Sequence, residues 1–530
     1  MSSTSDIALS SPLDHRLSEA DQSLRAGDAE TALALLSPLP DSDAVHLTRG
    51  RAFFRLARYQ DAAVELEKAT RPFGGHAVVA LVDEAVALRR RADLLLLFAE
   101  SRKLAPHDPR LLDAQGNILM HLGRFDEAEV CLRESLKRRP NDKGTLNLLA
   151  MNLTEQGRFD EALSILDDLR QRSPGEWGPG CNMAAILNNI GRLEEAANIY
   201  RETIPLGPNE AALRLNHSIA MLKSGRMAQG WAEHEWRFGV PGHTNLPQSR
   251  LLPNITPSLN LVGKRVLVTQ EEGLGDTLMY LRYIPALART GAIVHIWGTS
   301  TLAGLCGRVE GVSIVQHGGE TPDYDYHCPF ISLPRAFSAT PDAMGAPVPY
   351  LTADPAKAIQ WKKSLRTDCN LRVGLVWAGG ARPENTGAQM VDRQRSMPLS
   401  DLAPLADLKG ISFYSLQKDE PAQQRLDFPG PLVDFMPQCL DMDDTAALVS
   451  CLDLVVSVDT SMVHLAGGLG KPVIMMDRFN NCWRWLHGRD DSPWYPKMKI
   501  VRQTRFRDWS DVVTRVRSLL EDAVRAREAA

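Results

Sequence analysis

The sequence lacks most of the features that would mark a nucleic-acid-binding, metal-binding, disulfide-linked or membrane-spanning protein. The net charge is −5 and the pI about 6.3, so there is no basic excess for nucleic acid or anionic membranes. None of the eight cysteines forms a Cys-x-x-Cys pair, which argues against zinc knuckles and disulfide scaffolds. The longest apolar run, Leu94 to Ala99, is far too short to cross a bilayer.

The ends and the length set further limits. Residues 1–12 are rich in serine and lack a basic stretch followed by an apolar one, so we expect a disordered N-terminus rather than a targeting segment. These absences together predict a cytoplasmic protein without stable membrane insertion. A chain of 530 residues exceeds the size of a single core, so two or three domains are expected.

What the sequence does contain is a period of 34 residues. Proline and glycine both recur at this spacing, at Pro72, Pro106, Pro140, Pro174 and Pro208, and at Gly123, Gly157, Gly191 and Gly225. Glycine supplies left-handed backbone between two helices and proline ends the second helix, so each repeat is predicted to be a helical hairpin. This period is typical of a tetratricopeptide (TPR) superhelix, and we predict about six to seven hairpins over residues 13–240.

The pattern changes after residue 240. Residues 241–263 are rich in Pro, Asn and Leu and are predicted to be a linker. Short β-branched runs then alternate with helical stretches, which predicts parallel sheets with helices on both faces. We expect two Rossmann-like α/β lobes, residues 264–353 and 354–530, with ligands bound beyond the carboxyl ends of the strands. The predicted strands are Arg265–Gln270, Ile293–Gly298, Val312–Gln316, Arg372–Trp377, Ile411–Leu416, Leu454–Val458 and Val473–Met476.

Gly275 and Asp276 form the first candidate site, after the first predicted strand and before an apolar helix predicted over residues 278–288. Glycine allows the backbone to approach a ligand, and a helix N-terminus offers unpaired N–H groups to an anion. Asp276 has two explanations. It is either the N-cap of that helix or a general base at the interlobe cleft.

A second candidate site follows the strand Leu454–Val458 and contains Asp459, Thr460, Ser461 and His464. Asp459 or Thr460 is predicted to cap the next helix, and His464 lies one turn further along. A helix N-terminus with a hydroxyl and an imidazole suits a diphosphate. The alternative is an ordinary capped helix in which His464 is merely packed or exposed.

Polar side chains after other strands are weaker candidates. Arg395, Gln417 and Lys418 could face a leaving diphosphate and offset its charge, although solvated loop charge explains such residues equally well. His327 is expected on the first lobe, facing the cleft. The aromatic residues Trp483, Trp485, Trp494 and Tyr495 either stack on a base or sugar or belong to the core.

With these motifs the chain resembles bacterial TPR glycosyltransferases of the GT-B fold. Its catalytic half looks like the ADP-heptose:lipopolysaccharide heptosyltransferases, and its layout looks like O-GlcNAc transferase. The resemblance rests on Gly275-Asp276 and Asp459-Thr460 with His464, and on the stretch from Trp483 to Pro496. Ser461 stands where heptosyltransferases usually carry glycine, and the first lobe is short. Because of these two departures, the resemblance to heptosyltransferases does not extend to the identity of the donor or to binding of a lipid acceptor.

The resemblance implies roles for these residues. Asp276 matches the general base, Asp459, Thr460, Ser461 and His464 match the donor-diphosphate segment with Gly275, and Lys418 lies toward the donor. Gln417, Arg395 and His327 are possible donor or acceptor contacts. It also implies a C-terminal crossover helix, and a reaction without metal or cofactor, which agrees with the absence of an Asp-x-Asp pair in the cleft loops.

The predicted function is glycosyl transfer from a nucleotide sugar to Ser or Thr of a protein recruited by the repeats. One subgroup of this architecture modifies flagellin, which makes flagellin the leading acceptor. Two alternatives stay open: a heptosyltransferase acting on lipopolysaccharide, and a TPR scaffold that has lost activity.

Overall fold

A computed structural model describes residues 12–69, 77–243, 245–380, 382 and 386–529 of the chain. Pro72 and the first eleven residues lie outside the described part. The fold divides into two compact bodies, residues 1–173 with the segment 382–389, and residues 174–381 with 390–530.

The first body consists of paired helices. Consecutive helices pack against one another as hairpins, each joined by a tight turn. The helices are α1 (Pro12–Arg25), α2 (Ala29–Leu36), α3 (Asp43–Arg55), α4 (Tyr59–Lys68), α5 (Val82–Ala87), α6 (Arg91–Leu104), α7 (Pro109–His121), α8 (Phe125–Arg138), α9 (Lys143–Glu155) and α10 (Phe159–Arg172). The helical-repeat half of the predicted fold class is confirmed.

The turns explain the glycine period. Gly123 and Gly157 have φ angles of +79° and +78°, the left-handed region that glycine enters without strain. In the less regular N-terminal repeats Ala57 and Arg89 take the same conformation, with φ of +58° and +56°. The backbone therefore keeps the hairpin turn where the sequence has lost its glycine.

The second body begins with two more hairpins and continues into two α/β lobes. The hairpin helices are α11 (Trp177–Asn189), α12 (Leu193–Thr203), α13 (Ala211–Lys223) and α14 (Met227–His234). Leu222, Met227 and Trp231 of the last hairpin share one buried core with first-lobe residues such as Tyr280. These hairpins are thus built into the α/β body, whereas the sequence predicted a boundary at residues 241–263.

The first lobe has one parallel sheet in the order β3-β2-β1-β4. Its elements are β1 (Arg265–Thr269), α15 (Leu274–Tyr280), α16 (Ile284–Ala288), β2 (Ile293–Trp297), α17 (Ala303–Gly307), β3 (Val312–Gln316), β4 (Tyr326–Pro329) and α18 (Leu333–Ala336). The helix predicted over residues 278–288 begins earlier, at Leu274, and is interrupted before α16, whose first turn contains Pro285.

The second lobe has a parallel sheet in the order β10-β9-β8-β5-β6-β7. Its elements are α19 (Pro355–Ser364), β5 (Leu371–Val376), α20 (Thr386–Arg395), β6 (Ile411–Ser415), β7 (Leu432–Asp434), α21 (Met442–Ser450), β8 (Leu454–Val458), α22 (Ser461–Gly468), β9 (Val473–Asp477), β10 (Met498–Arg502) and α23 (Ser510–Glu528). Two parallel sheets with flanking helices confirm the α/β, GT-B-like half of the fold class.

The C-terminal helix differs from its prediction. The buried face of α23, which includes Val512 and Val516, packs with Val373 and Val456 of the second lobe's own sheet. The predicted crossover by this helix is therefore wrong. The β9–β10 connection reaches the first lobe instead, because Trp494 and Tyr495 belong to the same core as Tyr280.

Candidate active site

The carboxyl ends of β1 and β8 carry helices α15 and α22, whose first turns meet between the lobes. Gly275 makes this contact possible. A Cβ atom at residue 275 would lie 2.9 Å from Cδ2 of His464 and 3.4 Å from Cα of Ser461. Any side chain at Gly275 would push the two helices apart, so glycine is required by close packing here.

Asp276 is the third residue of α15, and its role as an N-cap is excluded. The N-cap position is Gly273, without a side-chain capping bond. The Asp276 carboxylate instead forms an ion pair with the guanidinium of Arg484, on the β9–β10 connection. Each side chain keeps some exposure, 15% for Asp276 and 16% for Arg484. The candidate base therefore lies at a surface that small molecules can reach, and it already has a cationic partner.

Arg484 was missed as a site residue by the sequence reasoning. Its Cζ lies 4.5 Å from the ring centroid of Trp483, and its Nη1 donates to Sγ of Cys482 at 3.0 Å. Its carbonyl accepts a hydrogen bond from Nε1 of Trp494 at 2.7 Å. An arginine between two tryptophans was a signal for a stacked guanidinium. The acidic partner, 208 residues away in the chain, could not be read from that signal.

The two glutamates after β1 have different environments. Glu271 is buried and lies 2.9 Å from Arg237 and 3.4 Å from His243. Glu272 is exposed, yet its pKa is raised because surrounding protein displaces water and because Asp276 adds negative charge nearby. An exposed carboxyl group with a raised pKa fits the wall of a concave surface.

Helix α22 begins as the sequence predicted. Thr460 is its N-cap, and its Oγ1 accepts the N–H of Met462 at 3.3 Å. The carbonyl of Asp459 accepts a hydrogen bond from Nη1 of Arg395 at 3.0 Å, so that predicted contact residue does lie beside this loop. A further bond of 3.0 Å from Nε of Arg395 to Asp392 fixes the guanidinium.

His464 is a buried residue of α22, with 4% of its surface exposed. Its ring stacks on Trp485 at 5.3 Å and 20°, and Nδ1 lies 2.9 Å from the hydroxyl of Tyr495. Burial lowers its pKa to about 3, and the positive charge of Arg484 acts in the same direction. The imidazole is therefore neutral at physiological pH and cannot offset a diphosphate as a cation.

The loop after β6 holds Gln417 and Lys418. The amide oxygen of Gln417 accepts the N–H groups of Trp377 and Ala378 at 3.1 and 3.0 Å, and its nitrogen donates to the Ala378 carbonyl. This amide is used up in holding the β5 loop, which argues against the predicted ligand contact. Lys418 donates to the Cys439 carbonyl at 2.9 Å and stays partly exposed.

His327 does not face the cleft, and that prediction is wrong. It is 1% exposed, and Nε2 lies 3.0 Å from the carbonyl of Pro247. The preceding segment packs against β4 here, because the N–H of Leu252 donates to the His327 carbonyl at 2.8 Å. Burial lowers the pKa of His327. The residue anchors the linker to the edge of the first sheet.

A cavity of about 380 Å³ opens at the carboxyl ends of β1 and β2. Its walls include Thr269, Glu271, Trp297 and His243. The hydroxyl of Thr269 is buried and has no hydrogen-bond partner within the described part of the chain. The cavity lies at the sheet edge where α/β lobes bind ligands.

The aromatic residues of the β9–β10 connection are core residues. Trp483, Trp485, Trp494 and Tyr495 are all buried. Trp483 meets Trp231 of α14 edge-on at 5.1 Å, and Trp494 meets Tyr280 of α15 at 6.4 Å. They hold the connection in place between the last hairpin and the first lobe, and the base-stacking alternative is not supported.

The described ranges contain neither a metal-binding group nor a membrane-spanning helix. No group of three or more His, Cys, Asp or Glu side chains there could hold a metal ion. No described helix has the length and apolar character needed to cross a membrane.

Two segments of the chain match the models of known protein families. Residues 426–506 match the family described as glycosyltransferase family 9 (heptosyltransferase), and residues 28–177 match coatomer epsilon subunit. The chain is 25% identical over 349 residues to Protein FlbA of Caulobacter vibrioides, covering 60% of this chain and 56% of FlbA. The chain thus spans little more than half the length of this curated relative.

Solved structures resemble each half at low identity. A glycosyl transferase family 9 protein from Veillonella parvula is 11% identical, covering 47% of this chain and 88% of its own, with a TM-score of 0.36. ADP-heptose lps heptosyltransferase II of E. coli is 13% identical, covering 50% and 100%, also with a TM-score of 0.36. A tetratricopeptide repeat protein from Parabacteroides merdae is 14% identical, covering 44% and 94%, with a TM-score of 0.32. Residues 426–506 thus resemble glycosyltransferase family 9, and the 34-residue period with its paired helices makes the N-terminal region TPR-like.

Proposed function

We propose that the protein is a GT-B glycosyltransferase that moves a sugar from a nucleotide donor to a Ser or Thr hydroxyl of a protein held by the helical repeats. The observation that supports the proposal is the meeting of α15 and α22, where Gly275, the neighbour of Asp276, packs against Ser461 and His464 near the capped start of α22. A proton acceptor and a phosphate-binding helix end are the two parts that sugar transfer needs.

In the proposed reaction the acceptor oxygen attacks the anomeric carbon, and its proton passes to Asp276. The bond between that carbon and the phosphate oxygen breaks, and the phosphate leaves with the electron pair. The helix end at Thr460 and Ser461 and the ammonium of Lys418 offset the developing negative charge. With these groups the reaction needs no bound metal or cofactor. A CMP-linked donor would release one phosphate rather than two.

The acceptor proposed first is flagellin. Helical repeats hold other polypeptides along their surface, so the hairpins are the natural recruiting element. The resemblance to flagellin-modifying glycosyltransferases, which the sequence motifs suggest, supports this choice. The proposed setting is the cytoplasm, where flagellin is available before export. A heptosyltransferase role is the second candidate, favoured by the family that residues 426–506 match.

Intact mass spectrometry tests the proposal. Flagellin from cells with the wild-type chain, with a deletion and with Asp276→Ala would be compared, with Asp342→Ala as an exposed control. We expect one or more sugar masses on flagellin that vanish in the deletion and in Asp276→Ala but persist in the control. Unchanged flagellin with altered lipopolysaccharide would favour the heptosyltransferase, and no change in either would favour the scaffold.

A further inference from the structure

The ion pair between Asp276 and Arg484 connects the two lobes of the candidate active site. Asp276 belongs to α15 of the first lobe, and Arg484 lies on the β9–β10 connection of the second. The pair thus ties up the candidate base in the ligand-free protein. A carboxylate that accepts from a guanidinium has fewer lone pairs left for an incoming hydroxyl.

Arg484 has hydrogen-bonding capacity to spare. A guanidinium carries five N–H donors. In the described part of the chain the acceptors of its side chain are Asp276 Oδ1 and Cys482 Sγ, and a thiol sulfur is a weak acceptor. The stacked ring of Trp483 orients the guanidinium from one face. With 16% of the side chain exposed, another anion can reach it.

The contact between α15 and α22 fixes where that anion would lie. Gly275, the neighbour of Asp276, packs against Ser461 and His464 at the start of α22. A phosphate bound at this helix end would lie near the Asp276 carboxylate, and two anions at close range repel one another. Arg484, which already pairs with Asp276, is a cation that can offset the repulsion between the two anions.

We propose that Arg484 exchanges its partner when the donor binds, moving from Asp276 to the donor phosphate. Donor binding then frees Asp276 to accept the proton of the acceptor hydroxyl. This inference rests on the proposed glycosyl transfer and adds a positioning residue to it. Because coupling between sites is reciprocal, whatever weakens the hold of Asp276 on Arg484 must strengthen phosphate binding.

The reciprocity gives a test that does not require the sugar to be known. CMP, UDP, ADP, GDP and dTDP would be titrated calorimetrically into the full-length wild type, and the nucleotide that binds would then be titrated into variants. We expect Asp276→Asn to bind it about tenfold more tightly, and we expect the double variant Asp276→Asn/Arg484→Met to lose this gain, whereas a gain from relief of charge repulsion alone would persist in it. Arg484→Met should bind the nucleotide at least tenfold more weakly than the wild type. Arg484→Lys keeps the charge but loses the planar pair of donors, so its affinity should lie between those of the wild type and Arg484→Met.

A matched control separates a local effect from a change in overall charge. Arg489 lies on the same connection, and its ion-pair partner among the described residues is the exposed Asp491. Arg489→Met should leave the dissociation constant unchanged. Thermal unfolding would check that each variant is folded. If Arg484→Met is not folded, the tighter binding by Asp276→Asn and the intermediate affinity of Arg484→Lys test the exchange of partners.

The two proposals fail in different ways. If none of the five nucleotides binds the wild type, the proposed function is contradicted. If one binds but Asp276→Asn binds it no more tightly than the wild type does, the exchange of partners is overturned and the proposed function stands. An equal loss in Arg484→Met and Arg489→Met would also overturn it, because general charge would then explain the effect.

Discussion

The hairpins α7–α10 and the hairpins α11–α14 share one sequence period but have different neighbours. In both sets an arginine at the turn pairs with a glutamate three residues later on exposed surface, as in Arg124–Glu127, Arg158–Glu161 and Arg192–Glu195. The buried residues of α7–α10 pack within the helical body. Such hairpins depend on local contacts that each repeat supplies for itself and its neighbours.

The last hairpin, α13–α14, keeps the turn of the repeat but differs in the side chains that it buries. Gly225 retains the turn, but Trp231 occupies the position at which the two preceding repeats have Ala197 and Leu163. Arg237 is fully buried and pairs with Glu235 and with Glu271 of the first lobe. The difference shows that one repeat motif can pack either within a helical array or as part of an α/β core, depending on a few substitutions.

The largest effect should separate chemistry from recruitment. Asp276→Ala is expected to lower kcat by about 10²–10⁴-fold, the usual contribution of a general base. Binding of flagellin should stay within twofold of wild type, because the repeats are untouched. Transfer would be measured with radiolabelled or mass-tagged donor, and binding by calorimetry. Near-normal transfer by Asp276→Ala would contradict the base assignment.

A large stability effect should distinguish the last hairpin from the regular ones. Trp231 is 1% exposed and contacts Trp483 edge-on, so Trp231→Ala should lower the free energy of unfolding by about 3–5 kcal/mol. Val130, on α8, is 69% exposed, and Val130→Ala should change it by less than about 0.5 kcal/mol. Chemical denaturation of the full-length variants would measure both. Similar values for the two would mean that Trp231 is not part of a shared core.

Two turn glycines offer a matched pair. Gly191 and Gly225 have φ of +82° and +81°, so alanine at either should cost about 1 kcal/mol of backbone strain. A Cβ at Gly225 would meet no atom within 4 Å, whereas at Gly191 it would lie 2.2 Å from Cε1 of His487. Gly191→Ala should therefore be the more destabilising in thermal unfolding. His487→Ala should abolish the difference, and a difference that persisted would place its origin elsewhere.

A pH-dependent effect concerns Lys223 of α13. This side chain donates to the Asn188 carbonyl at 2.9 Å, and burial lowers its pKa from 10.5 to about 7, with Arg478 and Arg502 acting in the same direction and Asp477 against it. Between these values the unfolded chain holds a proton that the folded chain has released, so stability rises with pH. The slope should be at most about 1.4 kcal/mol per pH unit.

Lys223→Met should remove that contribution, as measured by denaturation at pH 7.5 and 9. Lys137 of α8 is 75% exposed, and Lys137→Met should leave the slope unchanged. A slope that survives in Lys223→Met would assign the effect to other groups.

Much of the fold could be predicted from the sequence, because the repeat period and the composition of strands are local properties of the chain. Strands β3 and β8 have the predicted bounds. Strands β4, β7 and β10 were not predicted, since each is short or follows an irregular segment and gains its hydrogen bonds from a distant neighbour. The docking of α23 on the second sheet likewise depends on a partner surface that no local pattern specifies.

The candidate site was predicted in part, and the failures have a common cause. The Thr460 cap is a contact between neighbouring residues, and it was found. The N-cap of α15 was misplaced because a glycine at residue 273 gives no strong helix-start signal. The pairing of Asp276 with Arg484 and the burial of His327 under the linker depend on residues far away in the chain.

The fusion of the last two hairpins with the α/β lobes bears on how such proteins can be recombined. Composition alone would suggest residues 241–263 as the junction at which a different set of helical repeats could be fused. A junction there would strip Trp231 and Arg237 from the core that they complete. A junction near residue 174, where the two compact bodies divide, leaves that core whole, provided that residues 382–389, which belong with the upstream hairpins, are kept with them.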